Sequence, residues 1–86
     1  MNYTTLRAIA HQAECEDGVK ALEELKTNPT RAQAEITYWR SPLLRKYLPE
    51  GFWKGSRFAS VIENIDSYIE KQTVMLAEAT EVVKEC

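Results

Sequence analysis

The stretch Phe58–Val83, FASVIENIDSYIEKQTVMLAEATEVV, decides the fold. Phe58, Val61, Ile65, Tyr68, Gln72, Met75, Ala79 and Val82 step by alternating threes and fours, and Ile62, Ile65, Ile69, Gln72, Leu76, Ala79 and Val83 form a parallel row. Two adjacent rows of that period form the wide apolar stripe of an amphipathic helix that is gripped by more than one neighbour. Ser56 is placed to cap its start, and neither Pro nor Gly interrupts 57–86. The spacing predicts a helix over about 57–84, some 42 Å long at the α-helical rise. Gln72 is the polar exception in the stripe, and a polar residue in a seam sets register or marks a wet spot more often than it does chemistry.

Upstream, Leu6, Ile9, Ala10 and Ala13 share one helical face, while Cys15, Val19, Leu22 and Leu25 share another, rotated by about half a turn. That rotation predicts a bend or break, and Asp17-Gly18 is its natural place: Asp caps a new start, and Gly is costly inside a helix. A further helix is expected to begin at Asn28-Pro29, or at Thr30 with Gln33 as a capping box, and to run to about Arg40. Ser41-Pro42 disfavours its continuation, so 42–48 reads as a short helix or kinked extension closed by Pro49 and Gly51. No strand alternation appears. The expectation is an all-α fold, one domain over 1–86, arranged as a helical hairpin or three-helix unit around the long C-terminal helix. If the earlier helices fall short of that helix, a second copy of the chain must cover the remainder, which makes a homodimer through the long C-terminal helix the expected assembly.

The chain has 86 residues, 11 Lys and Arg against 13 Asp and Glu, and a net charge of -2. A domain this small has a thin core, and its overall charge argues against a general nucleic-acid coat. No apolar run is long enough to span a membrane, and acids occupy the place where a signal peptide needs its apolar core, so an intracellular, cytoplasmic protein is expected. In that setting Cys15 and Cys86 read as two free thiols rather than a disulfide.

The charge is segregated. Residues 39–57 carry Arg40, Arg45, Lys46, Lys54 and Arg57 against Glu50, a balance of +4, whereas 58–86 carry a balance of -4. Tyr38, Trp39, Tyr47, Phe52, Trp53 and Phe58 lie in or beside the basic stretch. Arg with aromatics is the anchor chemistry of protein interfaces, and the same set stacks bases and neutralises phosphates. Trp39, three residues after Ile36 and four before Leu43, is expected in the core, whereas Trp53 either closes the core as a lid or stands out as a contact residue. Lys54-Gly55-Ser56-Arg57, just ahead of a helix, has the ingredients of an anion pocket without a phosphate-loop spacing.

No catalytic set is expected. His11 and Cys15 share a helical face, but two donors fall short of a zinc site, and a dyad needs a third, orienting group. Glu63, Asp66 and Glu70 lie opposite the apolar stripe as a solvated face. Neither a cofactor nor a metal is implied. The expected function is a small non-enzymatic interaction module, an adaptor, inhibitor or regulatory subunit. It would occupy a surface of a larger protein partner through 38–58, with Trp53 and Arg57 as anchors and Arg40, Arg45 and Lys46 as steering charges, together with Lys54 at the anion pocket. Nucleic-acid or nucleotide-phosphate binding by the same segment, and self-assembly as a structural subunit, are the alternatives.

Overall fold

A computed structural model describes residues 2–86. Among these the fold is all-α: α1 Tyr3–Thr27, α2 Arg31–Arg40, α3 Arg57–Glu63 and α4 Ile65–Glu85, with single 3-10 turns at Leu44–Lys46 and Phe52–Lys54. The molecule is a rod of 45 × 19 × 18 Å. Its spine is an antiparallel pair: Gln12 donates to Thr80 Oγ1 at one end, Gly18 lies on Gln72 midway, and Lys26 pairs with Asp66 at the other. No helix among the described residues is long and apolar enough to cross a membrane.

The long C-terminal helix stands as α4, with one interruption ahead of it at Asn64. The Asn64 amide side chain donates to the Ser60 carbonyl at 2.8 Å, the same acceptor its own backbone N–H uses. An Asn that bonds its local backbone competes with helical geometry, and Asn64 sits at φ -101°, ψ 15° between α3 and α4. Ser56, the expected cap, makes no side-chain cap bond. Thr30 does cap α2, its Oγ1 accepting from Gln33 N at 3.1 Å. Residues 42–48 form a 3-10 turn and bends rather than a regular α-helix, and Gly51 takes the left-handed φ of 71° that closes the following turn.

The break expected at Asp17-Gly18 is absent: α1 is one continuous helix of 25 residues. Gly18 is buried there, and a Cβ on it would meet Gln72 Nε2 at 2.9 Å and Cδ at 3.0 Å. The glycine serves close approach of α1 to α4, not a hinge, and Asp17 pairs with Arg40 instead of capping. The second apolar face, with Cys15, Leu22 and Leu25, points inward, while Leu6 and Ile9 on the first remain 52% and 38% exposed.

α1 covers part of the α4 stripe within one chain: Ile65, Gln72 and Ala79 are buried, Tyr68, Ile69, Met75 and Leu76 are half-buried, and Val82 remains exposed. The main core gathers Leu22, Leu25, Tyr38, Leu44, Phe52, Trp53, Val61 and Ile65 around the C-terminal half of α1. A smaller cluster of Cys15, Leu43 and Ala79 lies further along, with Met75 and Leu76 against it. α2 runs antiparallel to α1, held by Arg40 to Asp17 and Glu24 and by Thr37 Oγ1 donating to the Ala21 carbonyl at 3.2 Å. Beyond Leu43 the rod thins to α1 and α4 alone.

Candidate interaction surface

α2 packs with an inverted pattern. Its buried side is Ala34, Thr37 and Tyr38, followed by Ser41, all but Tyr38 small, and its outer side carries Ile36 and Trp39. The small residues let α2 approach α1 closely enough for the Thr37 hydroxyl to reach a helix carbonyl. The two largest aliphatic and aromatic side chains at 36 and 39 are thereby turned to solvent, each 57% exposed. Trp39 is therefore not core, contrary to its spacing from Ile36 and Leu43. Ile36 and Trp39 do share a face, the outer one, but α2 ends at Arg40 and Leu43 beyond it turns into the core.

Trp39 is also fixed in place. Its ring meets Tyr38 edge-on, with centroids 5.0 Å apart at 88°. The Arg45 guanidinium lies 5.4 Å from the centroid of the Trp39 ring, and its Nη1 donates to the Trp39 carbonyl at 3.1 Å. A cation over an indole at an exposed site contributes about 0.5–1 kcal/mol, and here it also holds the ring to one orientation. Ile36, Trp39 and Arg45 thus form one apolar-basic surface, and Lys46 is exposed next to Arg45 in the chain.

The remaining members of the basic stretch have separate placements. Arg40 is turned inward to Asp17 and Glu24 and ties α2 to α1. Trp53 is 8% exposed, packed against Tyr38 at 5.2 Å and Phe52 at 5.6 Å between centroids. It closes the core as a lid and does not stand out as a contact anchor. Its Nε1 has no hydrogen-bond partner among the described residues. Lys54 and Arg57 are exposed on the other side of that lid. The carbonyls of this loop are taken up by Arg31, whose Nη1 donates to Trp53 O at 2.8 Å and Gly55 O at 3.1 Å. Arg31 also lies 4.7 Å over the Phe58 ring. The loop of the expected anion pocket is thus closed onto an arginine of α2, and the helix after it has only seven residues.

Deeper in, Tyr47 donates to Gln72 Oε1 at 2.6 Å and stacks on Tyr68, with centroids 5.9 Å apart. Burial pushes the Tyr47 phenol up to about 12. Gln72 is fully buried, its amide face against Gly18, so it sets the register of α1 on α4. Cys15 and His11 do approach each other, Sγ to Nε2 at 3.7 Å. Burial first, and the Glu14 carboxylate second, raise the Cys15 thiol, the opposite of what activates a cysteine nucleophile. Both cysteines are free, Cys15 buried and Cys86 exposed.

No protein-family model matches the chain, and no curated protein or solved structure matches it. The geometry of the α2 outer face is therefore the basis of any functional assignment.

Proposed function

We propose that this chain is a small, non-enzymatic helical interaction module that acts by occupying a surface of a larger protein partner through the outer face of α2. The observation that carries the reading is the inverted packing of α2: a helix that buries Ala34 and Thr37 while holding Ile36 and Trp39 out at 57% exposure. A large indole left in water costs solvation that burial against a partner recovers, and Trp with Arg is the pairing most enriched among interface anchors. Arg45 pre-orders the ring, which lowers the entropy lost on docking. The complementary surface is an apolar pocket wide enough for an indole, rimmed by carboxylates facing Arg45 and Lys46. Arg57 and Lys54 are exposed but not part of this surface, whereas Trp53 supports it from beneath through Tyr38.

Capture of a stoichiometric protein from native lysate tests the reading, with nuclease present and at low and high salt. Trp39→Ala is expected to weaken retention by about thirtyfold, the loss of one hot-spot side chain, while Lys54→Ala with Arg57→Ala changes it little. Retained nucleic acid that salt releases, with no dependence on Trp39, would replace this reading with phosphate binding by the basic segment.

A further inference from the structure

Arg40 is engaged by Asp17 and Glu24, and Arg31 by two loop carbonyls and the Phe58 ring. Arg45 is also held, with its guanidinium over the Trp39 ring and Nη1 bonded to the Trp39 carbonyl, yet it has no counterion among the described residues. Its other nitrogens, Nε and Nη2, make no hydrogen bond there, and neither is among the buried unpaired atoms, so both reach solvent. These two groups form one edge of the fork, which matches both oxygens of a carboxylate in parallel bonds. We propose that this edge receives a single Asp or Glu side chain of the protein partner, bound bidentately, with a large apolar neighbour of that acid seated on Trp39 and Ile36.

The inference rests on the outer face of α2 being the docking surface, and it names what the partner presents there. Arg45 is already ordered by the indole, so less freedom is lost when an acid pairs with it. The fixed charge at the indole is one guanidinium: Arg40 is neutralised, and Lys54 and Arg57 are not part of this surface. Lys46 makes no contact with Trp39 and, as a compact point charge, adds attraction without a fork. One fixed positive charge suits a monoanionic carboxylate better than a phosphate that carries nearly two. Ile36 and Trp39 are neighbours on one helix face, about 5–6 Å apart, so the acid and its apolar neighbour lie within about one helical turn of each other. Glu35, exposed and in no ion pair beside Ile36, disfavours an acid at that end and fixes the direction of docking.

Selection from a displayed library of short random peptides on the immobilised full chain tests the proposal, with circular dichroism to establish that each variant stays helical. Peptides whose binding is lost with Trp39→Ala are expected to share an Asp or Glu beside a large apolar residue. In fluorescence anisotropy, changing that acid to its amide is expected to weaken binding to the wild-type chain about tenfold, the loss of a charge-assisted bidentate contact. Arg45→Gln is expected to bind the acidic peptide and its amide equally, and Arg45→Lys, which keeps the charge without the fork, to separate them only about threefold. Trp39-dependent peptides that share no acid, or an amide change that costs as much against Arg45→Gln as against wild type, would overturn the inference while leaving the α2 surface in place. Tighter binding when phosphoserine replaces the acid would give the edge to phosphate instead. A library that yields no Trp39-dependent peptide would overturn both the inference and the surface it rests on.

Discussion

Replacing Gly18 by alanine sets two readings of one residue against each other with opposite signs. Were Gly18 a weak point where the helix bends, alanine would stabilise α1 by about 0.8–1 kcal/mol through helix propensity alone. The structure puts Gln72 Nε2 at 2.9 Å, Cδ at 3.0 Å and Cγ at 3.2 Å from the new Cβ. Nε2 has no hydrogen bond to lose, but the clash extends to Cγ, so the whole side chain must shift. It is fully buried, and moving it pulls Oε1 from the Tyr47 hydroxyl. Overpacking of this kind costs about 1–3 kcal/mol and the lost hydrogen bond about 1, so after the propensity gain the expected net effect is a destabilisation of about 1–3 kcal/mol. In urea, with a slope near 1 kcal/mol per molar for a chain this small, the midpoint falls by about 1–3 M. Adding Gln72→Ala to Gly18→Ala relieves the crowding and is expected to cost less than the sum of the two single changes, a coupling readable from a double-mutant cycle. A raised midpoint for Gly18→Ala, or strict additivity with Gln72→Ala, would refute the close-approach account.

The two tryptophans separate by stability. Trp53→Ala removes a buried ring packed on Tyr38 and Phe52 and is expected to cost about 3–5 kcal/mol in the same denaturation assay, whereas Trp39→Ala, at an exposed site, is expected to cost about 1 kcal/mol or less. Equal losses would contradict the assignment of lid and surface. Tyr47 gives the pH dependence. Its folded value of about 12 lies above the ordinary phenol value of 10, so above pH 10 the unfolded chain ionises first and stability falls as pH rises toward 12, with no contribution below that window. Comparing the ultraviolet titration of the protein with that of Tyr47→Phe is expected to show the loss of a late-ionising phenol; identical titrations would contradict the burial of Tyr47.

The elements governed by local rules were legible in the sequence. The apolar period after Ile65, the Thr30 cap with Gln33 and the Pro49-Gly51 closure all express preferences carried by neighbouring residues, and each is present. The bend at Gly18 was inferred from two apolar faces half a turn apart, on the premise that both must be buried by one straight helix or separated by a kink. α1 instead continues unbroken through Gly18 and leaves Tyr3, Leu6 and Ile9 in solvent. What Gly18 is for depends on Gln72, far away in sequence, and no local rule reaches it. In the basic-aromatic stretch the exposure of the two tryptophans was not legible, since spacing groups Ile36 with Trp39 without saying which way the group faces, and Trp53 is the buried one. The signal available was on the opposite side of α2, where Ala34, Thr37 and Ser41 form a row small and polar enough to lie close against another helix.

Photo-crosslinking from position 39 tests the central claim most directly. A photoreactive aromatic residue in place of Trp39, expressed in native surroundings, is compared with the same residue at Val74, an exposed apolar position on α4 that is 51% accessible. The account predicts one discrete, stoichiometric crosslinked protein from position 39, none from position 74, and loss of the product when Arg45 is changed to Glu. Equal, diffuse labelling from both positions would contradict the assignment of the α2 outer face as the surface through which this protein acts.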